Sequence, residues 1–174
     1  PPRSTLFPYT TLFRSSGMNR IFAILIFASA AFVACDRGAV YDQSVTIPNE
    51  KWNVDSLAVF TMPVTDTVSA YNLYINLRNT NDYQFQNLYL FVDVIAPNGA
   101  SIRDTFECYL ADDHGKWLGK GKGKIYDNRF LYRQSVKFST KGDYRIQLQQ
   151  AMRVDDLNGL ANIGVRMEHE GVSK

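Results

Sequence analysis

Cys35 is the side chain with the best-defined chemistry in this sequence. It closes the stretch from Met18 to Asp36, MNRIFAILIFASAAFVACD, in which a Met and one basic residue, Arg20, precede an uncharged run from Ile21 to Ala34. That run is 14 residues long. A membrane-spanning helix needs about 20 residues, and the apolar region of an export signal needs roughly 7–15. Length therefore favours a cleaved signal over a permanent span. Val33-Ala34-Cys35 supplies the small residues and the cysteine that a lipoprotein signal peptidase requires, although Phe32 stands where a Leu is usual. Diacylglyceryl on the thiol and an acyl chain on the new amine give several hydrocarbon anchors, and two or more chains hold stably where one does not. The expectation is lipidation at Cys35. Ordinary peptidase cleavage and an uncleaved anchor are the alternatives.

The other reactive side chains form no such pattern. With Cys35 lipidated, Cys108 has no partner for a disulfide. In Phe106-Glu107-Cys108-Tyr109-Leu110 it shares a strand face with Phe106 and Leu110, as a small buried hydrophobe does. A nucleophile would need a nearby His, and the candidates are His114 and His169, each standing alone. Asp112-Asp113-His114-Gly115 lacks the alternating oxygen ligands and terminal Glu of a calcium loop and reads as a polar turn. Gly119-Lys120-Gly121-Lys122-Gly123-Lys124 lacks the Lys-Ser/Thr ending of a phosphate loop and opens no helix. No HExxH or G-x-S-x-G occurs. The sequence predicts no catalytic residue, no metal site, no cofactor and no small-molecule substrate. Tyr71, Tyr74, Tyr83, Phe85, Tyr89 and Phe91 lie close together, which keeps a glycan-binding platform open as an alternative to the ordinary preference of sheets for aromatics.

The elements that carry these residues begin downstream of the signal. Residues 1–17, PPRSTLFPYTTLFRSSG, hold a near-repeat and no periodic apolar face, look like translated sequencing-adapter DNA, and are set aside as non-native. The signal peptide is 18–34. Cys35 to Lys174 spans 140 residues, enough for one domain with a real core. Removing Arg3, Arg14 and Arg20 from the 19 basic residues leaves 16 against 17 acidic, a formal charge of −1. Nucleic-acid binding calls for a strongly basic face and is not expected.

Residues 35–53 read as the lipidated cysteine and a polar tether, with one short β-like piece at Val45 to Ile47. The domain proper is then 54–174. From there the apolar period is two: Leu73, Ile75 and Leu77 alternate with Asn72, Tyr74, Asn76 and Arg78. Leu88 to Ile95 is apolar on both faces except Asp93 and reads as a central strand. Pro97-Asn98-Gly99 signals a hairpin. Asp112 to Lys124 reads as a loop, Arg129 to Ser139 as a strand, Tyr144, Ile146 and Leu148 as an inward row, and Ile163, Val165 and Met167 as the closing strand. The fold class is all-β, a single sandwich of seven or eight mostly antiparallel strands.

Three stretches together resemble the gliding motility lipoprotein H family of the Bacteroidota: Tyr71 to Val94, YNLYINLRNTNDYQFQNLYLFVDV; Gly115 to Lys120, GKWLGK; and Tyr144 to Arg153, YRIQLQQAMR. The N-L-R-N-x-x-D-Y-x-F-x-N-L core is the specific part. With the signal, the resemblance runs from Met18 to about Glu168. It implies a lipoprotein of the cell envelope, the outer membrane ahead of the inner, serving the gliding machinery that works beside the type IX secretion system. It implies partners among envelope motility and secretion proteins, no enzymatic activity and no cofactor. The lipidated cysteine is the one residue role it transfers, onto Cys35. Asn72, Asn76, Arg78 and Trp117 are the candidate partner contacts, singled out as polar positions within an apolar pattern and as the aromatic of the charged loop.

Overall fold

Successive side chains of a strand point to opposite faces, so a strict apolar–polar alternation commits one face to a core. The computed structural model, which describes residues 38–171, has eleven strands, the longer ones of its core built on this alternation. They are β1 (Ala39–Thr46), β2 (Lys51–Asn53), β3 (Ala58–Val64), β4 (Tyr71–Thr80), β5 (Asn87–Ile95), β6 (Ser101–Tyr109), β7 (Lys120–Lys122), β8 (Ile125–Val136), β9 (Gly142–Gln150), β10 (Asp156–Asn158) and β11 (Leu160–His169). A 3-10 turn covers Pro48–Glu50.

One sheet has the order β1-β11-β4-β8-β7 and the other β3-β9-β5-β6, with β2 and β10 forming a separate two-stranded ribbon. All the pairings are antiparallel. The core lies between the sheets. Leu73, Ile75 and Leu77 of β4 and Ile163, Val165 and Met167 of β11 face Phe60 and Met62 of β3, Leu90 and Val92 of β5, and Ile146 and Leu148 of β9. The central position expected for Leu88 to Ile95 is borne out, since β5 runs between β9 and β6. Cys108 is fully buried in this core, and desolvation pushes its thiol pKa well above the ordinary value.

Two expectations need correction. The strands number eleven among the described residues rather than seven or eight. The stretch read as tether is also part of the fold from Ala39 onward: β1 pairs with β11 from Ala39↔Glu168 to Thr46↔Asn162, and β2 pairs with β10. The reason is common to both. β1 is an edge strand with mostly exposed side chains, so it carries little apolar signal and is held through backbone pairing. β2, β7 and β10 are three residues each, too short for a period to show. The loop expected at Asp112 to Lys124 likewise contains β7, and β8 starts at Ile125, ahead of Arg129. The prefix, the signal and Cys35 lie outside the described residues.

The strand directions give the sandwich two distinct ends. At the entry end are the start of β1, the start of β4, the close of β8 and the close of β11; Glu170 N–H donates to the Ala70 carbonyl there (2.9 Å). The far end carries the β7–β8 hairpin, the ribbon, and the connection from β4 to β5.

Candidate functional site

The inward commitment of Leu73, Ile75 and Leu77 turns Asn72, Tyr74, Asn76 and Arg78 onto the outer face of the five-stranded sheet. β11 does the same for Asn162, Gly164, Arg166 and Glu168. Register then lays these residues in rows. Asp42, Arg166, Tyr74 and Leu131 form one, Ser44, Gly164, Asn76 and Arg129 the next, and Thr46, Asn162, Arg78, Asp127 and Lys120 the third.

Charges on this face are paired across strands. Arg166 is only 3% exposed, with Nη1 2.5 Å from Asp42 Oδ2 and Nε 2.5 Å from Glu168 Oε1. A guanidinium so far removed from water requires such partners, because an unpaired buried charge costs several kcal/mol. Arg129 donates to Asn76 Oδ1 (3.2 Å), lies 3.5 Å from Glu168 and sits over the Tyr74 ring at 5.9 Å. Arg78 donates to Asp127 at 2.7 Å, and this bond raises its pKa further. Asn72 Oδ1 accepts the Ser135 N–H (3.0 Å) at an irregularity of β8, where Ser135 has φ of 56°.

The sequence candidates therefore divide. Asn72 belongs to the entry end, Asn76 to the middle of the face, and Arg78 to the far end. Trp117 joins Arg78 at one corner, but from the inner side. It bridges to Ala111 and packs on the core, with its ring 5.7 Å from that of Tyr126, the residue beside Asp127. Trp117, put forward as a partner contact, is in fact half-buried. The exposed apolar side chain is its neighbour Leu118, at 57%. Leu118 N–H donates to the Leu110 carbonyl (2.9 Å), next to Tyr109, which is 60% exposed.

The glycines of the loop have a definite geometric purpose. A Cβ on Gly121 would stand 2.0 Å from the Ile125 carbonyl oxygen, and Gly123 turns the hairpin with φ of 78°. Only glycine permits both. The hairpin so formed sets Lys120 opposite Asp127 and leaves Ile125 exposed at its tip. The far end thus presents Arg78, Asp127 and Lys120 in a row on the five-stranded face, with Ile125 exposed at the hairpin tip and Leu118 exposed where the loop meets β6. Such a mixture of apolar tips and a charged rim suits macromolecular contact.

The opposite outer face, on the four-stranded sheet, carries two of the clustered aromatics, while Tyr74 stands on the five-stranded face. Of the six clustered in the sequence, Tyr71 and Tyr83 are buried, and Phe85 packs edge-on against Tyr83. Tyr89 and Phe91 face outward on β5, with Arg103 over the Phe91 ring at 4.7 Å. Glu107 Oε1 accepts from Asn87 (2.6 Å) and Oε2 from the Tyr109 hydroxyl (2.9 Å). These bonds, the Asn87 amide first, lower the Glu107 pKa.

Asp42, Asp127, Arg129, Arg166 and Glu168 were not singled out from the sequence. The alternation of β11 was readable. Which strand lies beside it was not, since cross-strand register is absent from a single chain.

Comparison with known proteins places this architecture. The family described as GldH lipoprotein matches residues 39–167, from the first residue of β1 almost to the close of β11. A "Gliding motility lipoprotein GldH homolog" of Christiangramia forsetii is 37% identical over 152 residues, covering 83% of this chain and 93% of its own length. The "Gliding motility lipoprotein GldH" of Flavobacterium johnsoniae is 34% identical over 164 residues, covering 90% and 98%. Among solved structures, one of infectious bursal disease virus Gx strain aligns over 77% of this chain and 33% of that chain, with a TM-score of 0.28 and 12% identity, too low to bear on the fold. The match over nearly the whole sandwich and these levels of identity mean that the chain belongs to the GldH lipoprotein family.

Proposed function

We propose that this protein is a lipid-anchored accessory component of the bacterial gliding machinery and its associated type IX secretion, held in the cell envelope through Cys35 and working by protein–protein contact rather than catalysis. The observation that carries the proposal is the family match across residues 39–167, with relatives of 34% and 37% identity named for gliding motility. The signal ending at Cys35 supports the anchor, and the outer membrane is the proposed location. The far end supports the contact role: Leu118 and Ile125 are exposed there, and the Arg78–Asp127 pair stands on its five-stranded face. Asn72, Asn76 and Trp117 serve this surface indirectly, the first two by fixing the sheet face and Trp117 by seating the loop on the core.

The test is crosslinking and affinity recovery of the native lipoprotein from fractionated envelopes, together with colony spreading. Deletion should abolish spreading, and the Leu118→Asp/Arg78→Glu variant should lose envelope partners while remaining folded and membrane-bound. Full partner recovery and normal spreading by that variant would sink the contact assignment.

A glycan-binding reading has one feature in its favour, the exposed Tyr89 and Tyr109 beside Glu107. Retention of the domain on polysaccharide, lost in Tyr109→Ala, would support it over protein contact.

A further inference from the structure

Between Cys35 and the first strand stand only Asp36, Arg37 and Gly38. An extended chain covers at most ~3.6 Å per residue, so four steps reach about 14 Å. A lipid on Cys35 therefore leaves the sandwich no long leash. The start of β1 must stay near the bilayer, and with it the entry end.

We infer that the entry end rests on the lipid surface, with Val68 entering the interfacial layer and Lys137 and Lys141 meeting lipid phosphates. The inference depends on the anchor proposed above. Val68 is 82% exposed, more than any other large apolar side chain described. It is not exposed through looseness. Asp66 Oδ1 accepts the Val68 N–H (2.8 Å) and the Ser69 N–H (3.5 Å), and Asp66 Oδ2 accepts the Tyr71 hydroxyl (3.4 Å). The turn between β3 and β4 is built to hold that apolar tip outward. Val40, 45% exposed, lies at the start of β1 on the same end. Lys137 and Lys141 flank the turn from β8 to β9, exposed and without ion pairs among the described residues.

The acids of this end are mostly engaged. Asp66 holds its own turn, Glu170 accepts from Ser135, and Asp104 is taken by Tyr132 and Arg133. Among the described acids of this end, Asp143 alone is exposed without such a bond. One apolar tip and two lysines are too few to bind a membrane unaided. On a domain already tethered, the local concentration is high and weak contacts suffice to fix a pose. The consequence is orientation: the far-end corner, with Leu118 and the β7–β8 hairpin, points away from the anchoring bilayer.

The test uses the full lipidated chain in vesicles of phosphatidylethanolamine and phosphatidylglycerol. An environment-sensitive fluorophore is attached to Val68→Cys or to Leu118→Cys; Cys108 is buried and does not label. Flotation and intact mass report lipidation independently of the probe. The proposal expects a blue shift and quenching by spin-labelled lipid at position 68, no change at 118, and weaker quenching at 68 in Lys137→Glu/Lys141→Glu. A water-like signal at 68 in floated, lipidated protein overturns the proposal while leaving the anchor intact. Unmodified mass and failure to float overturn both. Equal quenching at 68 and 118 overturns the end-on pose, and undiminished quenching in the lysine variant removes the phosphate contacts.

Discussion

The two ends of the sandwich are held together by different chemistry. The entry end is closed by rings. Phe138 contacts Tyr144 edge-on with centroids 4.8 Å apart and Tyr71 at 5.8 Å, and Tyr71 in turn meets His169 at 4.8 Å. The far end is closed by amides and backbone crossings. Asn128 Nδ2 donates to Asn79 Oδ1 (2.8 Å) with both residues buried. Gln150, fully buried, donates to the Val154 carbonyl (2.9 Å) and accepts the Met152 N–H (2.9 Å). Ring packing depends mainly on volume and tolerates a swap of similar size. A buried amide depends on every partner being in place, and loses its advantage when one is removed. The end proposed to face the membrane is thus simple and robust, while the end proposed for partner contact is shaped by specific hydrogen bonds.

The largest effect expected is at the rings. Phe138→Ala should destabilise the domain by about 3–5 kcal/mol, as truncation of a buried aromatic does. Phe138→Leu should cost less than about 1.5 kcal/mol. Urea melts of both variants measure the difference. Equal losses would mean that ring geometry, not volume, closes this end.

Next in size is the amide end, where even an apolar replacement of similar length should fail. Gln150→Leu and Asn128→Leu should each lose about 1–3 kcal/mol, the cost of stranding buried polar groups. A Gln150→Leu protein as stable as the parent would erase the contrast between the ends.

That contrast also explains what the sequence disclosed. The ring end was legible because Phe138, Tyr144 and Tyr71 fall on apolar rows of period two. The buried amides were not, since Asn79, Asn128 and Gln150 are polar letters that read as outward. The N-x-x-D-Y-x-F part of the resemblance illustrates the point. Asn79 is fully buried, and Tyr83 is buried with its hydroxyl donating to the Asn87 carbonyl (2.8 Å). The motif identified the family while its residues build the connection from β4 to β5 rather than a binding surface. Gly159 belongs to the same structure: a Cβ there would lie 2.2 Å from the Tyr83 nitrogen. The charged row at the far end stayed hidden for a further reason, because Asp127 and Lys120 join Arg78 only through cross-strand register.

A smaller, pH-dependent effect belongs to the entry end. Hydrogen bonds from Ser69 and from the Val68 N–H lower the Asp66 pKa from 3.8 to about 2. A group depressed in the folded state contributes stability above its unfolded value and loses it as pH falls through the folded one. The contribution of Asp66 is therefore complete above about pH 5 and disappears between roughly pH 4 and 2. Thermal melts over that range should show the parent and Asp66→Asn converging in Tm as pH drops. A constant gap down to pH 2 would show that the turn does not depend on the carboxylate charge.

The smallest expected effects on stability separate the two ends most sharply in function. Val68→Ser and Leu118→Asp both alter exposed apolar tips, and each should change unfolding free energy by no more than about 0.5 kcal/mol. Their consequences in the envelope should differ. Leu118→Asp places a charge in the far-end corner, where desolvating it against a partner is costly, so partner recovery should fall. Val68→Ser removes the apolar tip of the entry end, so partner recovery should persist while the proposed orientation on the bilayer loosens. Recovery of crosslinked partners from envelopes, measured for both variants beside their urea melts, distinguishes the roles. Loss of partners in Val68→Ser with retention in Leu118→Asp would invert the polarity of the molecule: contact would then lie at the end nearest the lipid, and the far-end hairpin would be free of it.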